Sequence, residues 1–161
     1  MEELNFDVVV DGGGPAGSSA AHMAAKNGCT VALIEKEKEI AETVRTSGVT
    51  WISDINEFGI PKECYNPIKK FSFCSPKNYV TITDNVAKAA VLDVRKTYRF
   101  LATRSKSSGS ELFTGTNVSE VLKNSAGKCV GVVAKSQGKL IQFNAKVVID
   151  ASGFTSIVAK E

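Results

Sequence analysis

The sequence predicts an α/β fold in which a parallel sheet carries a β-meander and a β-hairpin excursion. Three observations predict this class. An apolar run at the amino terminus leads into a glycine-rich turn and then an alanine-rich stretch. A second apolar run follows and ends on an acidic residue, which is the order of a βαβ unit. A series of strand-like segments separated by short polar turns fills the last third of the chain.

The first strand is predicted over residues 5–10, because this run is apolar on both faces, as buried parallel strands are. Shortly after it, the letters GGGPAG place Gly12, Gly14 and Gly17 in the three positions of G-x-G-x-x-G. The alanine-rich residues 18–26 predict a helix. In such a motif the first glycine permits a tight turn, the second lets backbone approach a pyrophosphate, and the third lets helix and strand pack closely.

The second strand is predicted over residues 30–34 and ends on Glu35. An acid roughly 20 residues after the first glycine can accept hydrogen bonds from the ribose hydroxyls of adenosine. The same carboxylate would repel a 2′-phosphate, which argues against NADP. The strand, glycine loop, helix and acid together predict a Rossmann-like dinucleotide site. The alternative is a glycine-rich turn that binds nothing.

Composition excludes several other classes of protein. A chain of 161 residues with 43% hydrophobic residues can bury one sizeable core. The net charge of +3 and the scattered basic residues argue against nucleic-acid binding. No apolar run approaches the ~20 residues of a membrane span, and no signal-peptide pattern opens the chain. We expect a cytoplasmic protein with four reduced cysteines, with a Cys64–Cys74 redox pair as the alternative, and no metal-ligating cluster.

The middle of the chain predicts a helix, a hairpin and a second helix. Residues 49–58 have helical periodicity that places Trp51 in the core, with Ser47 or Thr46 as the cap. The pattern then alternates as in strands around a Ser-Pro-Lys-Asn turn, and Asp93 is placed to cap a further helix. The predicted ranges are residues 71–74 and 79–83 for the hairpin and residues 93–106 for the second helix.

The last third predicts a return to the parallel sheet followed by a β-meander. Residues 111–114 are expected to lie beside the first strand. The apolar final strand delivers a turn in which Asp150 caps the loop. His22, the only histidine, is interpreted as structural. The predicted meander strands are residues 117–123, 128–135 and 139–143, and the final strand is residues 145–150.

Three phrases in this order, DVVVDGGGPAGSSAA, VALIEK and VVIDASGFTS, resemble the FAD-dependent oxidoreductases of the geranylgeranyl reductase family. That family lies within the p-hydroxybenzoate-hydroxylase-like flavoproteins. The segments ETVRTSG and VLDVRKTYRFLA resemble further parts of the same family, so the resemblance spans almost the whole chain. It implies a Rossmann-like FAD-binding fold, with the hairpin over residues 68–91 as part of a substrate-domain sheet. The implied reaction is reduction of prenyl-chain double bonds by hydride from flavin N5.

The resemblance also implies which residues contact FAD. The loop would cradle the pyrophosphate, and Glu35 would hold the adenosine ribose. The loop after the second strand would approach the flavin side, Val118 would present backbone to the adenine, and Gly153 would stand at a second flavin contact. No catalytic residue is assigned. The complete cofactor-binding set is Gly12, Gly14, Pro15, Ala16, Gly17, Glu35, Lys36, Arg45, Thr46, Ser47, Gly48, Arg95, Val118 and Gly153.

The chain departs from the family pattern at a few positions. Thr46 stands where such reductases often have a cysteine, and Val94, followed by Arg95, stands where an arginine usually opens the helix. Asp11 replaces an apolar residue before the first glycine. A further Gly-Asp-Ala-like flavin motif and a lipid-lined substrate domain are absent. The sequence is therefore interpreted as the amino-terminal part of a larger enzyme, inactive on its own.

Three functions remain open at this stage. The first is a prenyl reductase whose longer form takes an apolar small-molecule substrate, with peripheral membrane contact left open. The second is a flavin monooxygenase or halogenase of the same superfamily. The third is a dinucleotide-binding fragment without catalysis. The first 161 residues do not separate the two enzymes, because the substrate walls come later in the family.

Overall fold

A computed structural model describes residues 1–156 and 158–160 of the chain. It divides the chain into two compact units. The first unit comprises Met1–Thr43 and Tyr98–Glu161, and the second comprises Val44–Thr97.

The amino-terminal third forms the predicted strand–helix–strand unit. β1 spans Glu2–Asp11, α1 spans Pro15–Lys26 and β2 spans Val31–Ile34. The helix begins three residues before the predicted start at residue 18, because Pro15 occupies its first turn. A proline is favourable there, since its fixed φ suits a helix and its missing N–H would have no intrahelical partner.

The second unit contains more strands than the sequence predicted. Its elements pair into a three-stranded sheet of order β3-β7-β4 and the two-stranded hairpin β5-β6, within the described residues. The hairpin is the one predicted. The elements are β3 (Val49–Trp51), α2 (Ile52–Glu57), β4 (Tyr65–Ile68), β5 (Lys70–Cys74), β6 (Tyr79–Thr83) and β7 (Ala89–Leu92).

The remaining elements complete the first unit. α3 begins in the second unit and continues into the first. The predicted cap of α3 is confirmed, because the Asp93 Oδ1 atom accepts a hydrogen bond from the Lys96 N–H at 3.0 Å. The elements are α3 (Val94–Ser107), β8 (Glu111–Phe113), β9 (Thr116–Lys123), β10 (Cys129–Ser136) and β11 (Lys139–Asp150).

A sheet of order β8-β2-β1-β11-β10-β9 forms the centre of the first unit in the described part of the chain. The strands β8, β2, β1 and β11 are parallel, and β9 and β10 join as an antiparallel meander. The α/β class with a parallel sheet and a meander is thereby confirmed. Residues 111–113 pair with β2, however, and the prediction that this strand lies beside β1 is wrong. The free side of β1 is taken by β11.

The strand β11 corrects a second prediction, because residues 139–143 and 145–150 form one continuous strand. β1 pairs with residues 141–150 of this strand, and β10 pairs on its other side with residues 139–144. The polar Asn144 looked like a break in the sequence. In the structure it continues the ladder, and its side-chain amide donates to the Asn5 Oδ1 atom at 3.1 Å. A long strand of this kind ties the meander to the parallel half of the sheet.

The core of the first unit lies on both faces of its sheet. On one face Val8, Val10 and Leu33 pack against Ala21 and Ala25 of α1. On the other face the alternate side chains join the meander in a second cluster, which is Val9, Ala32, Ile34, Val118, Val132, Ala134 and Phe143. Burial on both faces explains the continuous apolar runs at residues 8–10 of β1 and over the whole of β2.

The helix predicted over residues 49–58 is wrong in its first turn. Val49 and Thr50 pair with β7, and the helix starts only at Ile52. The Asp54 carboxylate accepts a hydrogen bond from the Thr50 hydroxyl at 2.9 Å, which fixes this late start. Neither Ser47 nor Thr46 caps the helix, and Trp51 is 57% exposed, so its core placement is also wrong.

Two smaller predictions on single residues concern histidine and the cysteines. His22 contacts the Ser108 hydroxyl through Nδ1 at 2.8 Å, and this contact supports a structural role. All four cysteines are free, with Cys64 buried and Cys74 exposed, so no Cys64–Cys74 disulfide is present. Among the described residues, none of the helices combines the length and apolar character needed to cross a membrane.

Candidate cofactor-binding site

The glycine loop between β1 and α1 is closely packed against the chain on two sides. Gly12 has a φ of +112°, and a Cβ there would collide with the carbonyl oxygen of Ala151. A Cβ on Gly17 would collide with the carbonyl oxygen of Gly12. Both positions therefore require glycine, as the fingerprint spacing predicts.

Gly14 differs from the other two fingerprint glycines because nothing lies within 4 Å of its hypothetical Cβ. It is the residue before the first turn of α1, and no side chain caps that end of the helix. The N–H groups of Ala16 and Gly17 have no intrahelical partner at such a terminus. The loop thus offers open backbone donors and the positive end of the helix dipole, which is the geometry that binds phosphate.

Two residues that sequence reasoning missed brace this loop. Ser18 is fully buried, and its hydroxyl donates to the Gly13 carbonyl oxygen at 3.1 Å. Gly13 is also restricted, because a Cβ there would lie 2.6 Å from Ile40 Cδ1 and 2.9 Å from Glu35 Oε2. A serine immediately after the third glycine was the available signal for the first brace. No sequence signal marks Gly13, because it occupies a variable position of the motif.

Glu35 lies at the carboxyl end of β2 and is partly buried. Its Oε2 atom accepts from the Gly13 N–H at 2.8 Å, and its Oε1 atom accepts from the Glu37 N–H at 2.8 Å. The carboxylate is therefore held in one orientation. Each carboxylate oxygen has a second acceptor position, so ribose hydroxyls can still bind it.

Asp11 ends β1 directly before the loop, and it is buried with only 7% of its surface exposed. Its Oδ2 atom is buried without a hydrogen-bond partner. Burial, together with the charges of Asp150 and Glu35, raises the pKa of Asp11 to about 6, and Lys36 acts in the opposite direction. The chain thus places an uncompensated carboxyl at the base of its phosphate loop.

Asp150 lies beside Asp11 in the register of β1 and β11, but its carboxylate is fully engaged. The Oδ1 atom accepts from the Ser152 N–H at 3.0 Å and from the Ser152 hydroxyl at 2.6 Å. The Oδ2 atom accepts from the Ala159 N–H at 2.8 Å. Burial alone would raise the pKa of Asp150, yet these hydrogen bonds hold it below its usual value. The prediction that Asp150 caps this loop is confirmed.

The other predicted site residues of the first unit occupy different environments. Val118 is buried in the core of the meander, so only its backbone is available to a ligand. Lys36 is exposed just after Glu35. Gly153 opens a short 3-10 helix with a φ of +71°, and the space around its hypothetical Cβ is open.

The remaining predicted site residues belong to the second unit. Gly48 is buried with a φ of +74°, and a Cβ there would lie 2.8 Å from Val94 Cγ2. Its N–H donates to the Thr46 hydroxyl at 3.3 Å, which shapes the loop. Arg45, Ser47 and Arg95 are exposed. This loop is a tight turn whose conformation depends on glycine.

The first unit therefore has the parts that FAD requires for its adenosine diphosphate half. Backbone atoms pack against Gly12 and Gly17 so closely that no side chain fits there, whereas the space beside Gly14 is open. The carboxylate of Glu35 is fixed in place beside the loop.

A family model described as FAD dependent oxidoreductase matches residues 7–160. The match covers nearly the whole chain and includes the glycine loop, Glu35 and the end of β11. The chain belongs to the FAD-dependent oxidoreductase family, and FAD is its cofactor.

Two curated relatives illustrate the range of lengths in which this sequence occurs. A digeranylgeranylglycerophospholipid reductase of Methanocaldococcus jannaschii is 36% identical over 99% of this chain and 41% of its own length. An uncharacterized protein in the nifH2 5′ region of Methanosarcina barkeri is 32% identical over 99% of this chain and 89% of its own length. The chain thus spans about two fifths of the reductase and most of the shorter relative.

Solved structures show the same fold. A geranylgeranyl bacteriochlorophyll reductase-like protein from Thermoplasma acidophilum superposes with a TM-score of 0.87 at 28% identity, over 95% of this chain and 40% of its own. A flavin-dependent brominase superposes with a TM-score of 0.78 at 24% identity, over 98% of this chain and 40% of its own. The first similarity extends to sequence, whereas the second shows the fold alone.

Proposed function

We propose that this chain is the FAD-binding part of a reductase that saturates double bonds in prenyl chains. The observation that carries the proposal is the 36% identity to a digeranylgeranylglycerophospholipid reductase over 99% of this chain. When bound, FAD supplies the hydride from its N5 atom. The protein supplies binding, orientation and exclusion of water, as is general for cofactor enzymes.

The residues of the chain divide this work between them. Ala16 and Gly17 donate backbone N–H groups to the pyrophosphate, and Gly14 leaves the space for its approach. Glu35 accepts hydrogen bonds from the ribose hydroxyls while the Gly13 and Glu37 amides hold it in place. The loop over residues 45–48, Arg95 and Gly153 are assigned to the flavin half, with Lys36 and the Val118 backbone beside the adenosine half.

An apolar cavity in the second unit supports an apolar substrate. It has a volume of about 390 Å³ and is lined by side chains of the three-stranded sheet and the hairpin, which include Val49, Trp51, Ile68, Phe71 and Phe73. The hairpin also carries exposed apolar residues, with Tyr79 at 78% and Val80 at 56% exposure. We assign the protein to the cytoplasm, with its apolar face toward the membrane that contains prenyl lipids.

The test uses the full-length protein. The protein is reduced anaerobically with dithionite and mixed with a geranylgeranylated glycerol lipid, and the product is analysed by mass spectrometry. We expect a gain of 2 Da for each double bond reduced. A gain of 16 Da in the presence of oxygen, or incorporation of bromide, would identify a monooxygenase or halogenase and overturn the proposal. The 161 residues alone are expected to give no product.

A further inference from the structure

We propose that Asp11 takes up a proton when FAD binds to the glycine loop, so that the affinity for FAD rises as the pH falls. The inference rests on the proposed placement of the pyrophosphate at this loop. It concerns a residue that the binding of the adenosine half does not itself use.

The carboxyl of Asp11 lies directly before the glycine loop. Asp11 is the last residue of β1, and its neighbour Gly12 is the first residue of the loop. The Gly12 N–H donates to the Ile34 carbonyl oxygen at 2.8 Å, and the Gly13 N–H donates to Glu35. These two amides are therefore committed to other acceptors.

The buried carboxyl of Asp11 lacks a hydrogen-bond donor for one of its oxygens. Its Oδ2 atom is buried and has no hydrogen-bond partner, whereas both oxygens of the adjacent Asp150 are engaged. A buried carboxylate in this state is costly, and protonation is the simplest way to remove the cost. Asp11 is thus the carboxyl of this group that is free to change its protonation state.

Three charged side chains contribute to the electrostatic field at Asp11. From β11 it faces the carboxylate of Asp150, and from the end of β2 it faces Glu35 and Lys36. The loop and the first turn of α1 contribute no acidic residue. The negative charges outnumber the single lysine, and together with burial they raise the pKa of free Asp11 to about 6.

FAD binding and proton binding at Asp11 are linked equilibria. A bound pyrophosphate adds negative charge close to Asp11, which raises its pKa above the value in the free protein. A group whose pKa rises on binding takes up a proton, and the affinity is higher below the free pKa than above the bound one. If FAD binding raises the pKa of Asp11 by one unit, the affinity differs by about tenfold between these limits.

Isothermal titration of FAD into the protein tests the proposal. Titrations at pH 7 in two buffers of different ionisation enthalpy give the number of protons exchanged. We expect a net uptake by the native chain, and we expect its FAD affinity to rise about tenfold between pH 8 and pH 5.5. The Asp11→Asn variant should show no uptake and a nearly constant affinity. Asp7→Asn, on the same strand but far from the loop, should behave as the native chain does.

The outcomes separate the two proposals. Binding without proton uptake, or the same uptake in Asp11→Asn, would overturn the role of Asp11 while leaving the FAD site intact. No saturable binding at either pH would overturn the site and the inference together. If His22 took up the proton instead, the uptake would persist in the Asp11→Asn variant. A carboxyl-carbon NMR titration of the native protein gives a second readout, in which the Asp11 midpoint must move upward when FAD is added.

Discussion

At the scale of single residues, two acids that end neighbouring strands behave in opposite ways. Glu35 and Asp11 both lie near the glycine loop, but only Glu35 finds donors for both of its oxygens. In the sequence, the two acids differ only in their position relative to the glycine loop. Glu35 could be assigned from its spacing to the loop, and Asp11 was recognised as unusual because an apolar residue is expected before the first glycine.

Glu35 provides the first prediction. Glu35→Ala should weaken FAD binding by about 1.5–3 kcal/mol, because it removes a charged acceptor for the ribose. It also frees the Gly13 amide that the carboxylate holds. Fluorescence titration of FAD measures the change. Glu39→Ala, an exposed acid paired with Arg99, serves as the control and should leave FAD affinity unchanged. Equal affinities of the native and Glu35→Ala proteins would remove Glu35 from the site.

Asp11 provides the second prediction, which concerns the stability of the protein without ligand. Its pKa is raised from 3.8 to about 6 in the folded state, so the folded protein holds this proton more tightly than the unfolded chain. The free energy of unfolding therefore falls as the pH rises from about 4 through 6. Asp11→Asn or Asp11→Val should increase it by about 1–3 kcal/mol above pH 7 and change it little at pH 4.

Urea denaturation at the two pH values measures this difference. A loss of stability in both Asp11 variants at pH 7 would show that the carboxylate makes a stabilising interaction. The Asn variant separates charge from shape, because its side chain is close in size to that of aspartate.

Asp7 shows the opposite dependence on pH and gives the third prediction. It pairs with Lys146 Nζ at 2.7 Å and accepts two hydrogen bonds from Thr30, at 2.9 Å each. The bond from Lys146, followed by those from Thr30, lowers the pKa of Asp7 to about 2. Its stabilisation is therefore present above pH 4 and is lost as the pH falls toward 2. Asp7→Asn should lower the melting temperature at pH 7, and the difference should shrink at pH 3. A difference that stayed constant with pH would contradict the assignment.

At the scale of elements, the glycines of the loop differ in the space around them. Gly17 has no room for a side chain, whereas Gly14 has open space and an ordinary φ of −68°. The sequence places both in one motif and cannot distinguish them. The structure distinguishes them because it shows which atoms each Cβ would meet.

The fourth prediction follows from that contrast. Gly17→Ala should destabilise the protein by up to about 3 kcal/mol, because its methyl group collides with the Gly12 carbonyl oxygen. Gly14→Ala should leave the melting temperature of the ligand-free protein unchanged but reduce FAD affinity at least about tenfold, since the methyl group occupies the approach of the pyrophosphate. Thermal denaturation and FAD titration of both variants check this. A Gly14→Ala protein that binds FAD normally would place the pyrophosphate elsewhere.

The local sequence pattern predicted an element well where a single signal determined its structure. β1, β2, α1 and the hairpin follow from burial on both faces, alanine content and alternation. Residues 49–51 were assigned to a helix because Trp51, Ile55 and Phe58 have helical spacing. Pairing with β7 overrides that spacing, and it could not be foreseen because β7 is itself a short apolar segment distant in sequence. The continuous β11 was missed for a similar reason, since a polar residue inside a strand resembles a turn.

At the scale of the whole molecule, the order of motifs predicted the family and most of the first unit. The neighbours of β8 could not be predicted, because parallel strands far apart in sequence have similar apolar patterns. Nor does the sequence indicate that Ser18 and Gly13 brace the loop, since those contacts depend on the folded positions of the loop and Ile40.

The fifth prediction concerns the 161-residue chain on its own. Relatives of the reductase type continue for more than half of their length beyond the matched region. We therefore expect the chain to bind FAD weakly through its adenosine half and to lose the flavin during gel filtration. A stoichiometric yellow protein recovered from the column would contradict weak binding.

The most direct test is a titration of the 161-residue chain with FAD, in which the quenching of flavin fluorescence measures binding. If the glycine loop is the FAD site, binding is saturable at one FAD per chain, and Gly14→Ala weakens it at least about tenfold in a protein that remains folded. Absence of saturable binding, or equal affinity of the native and Gly14→Ala proteins, would contradict the central claim that the glycine loop is the FAD site.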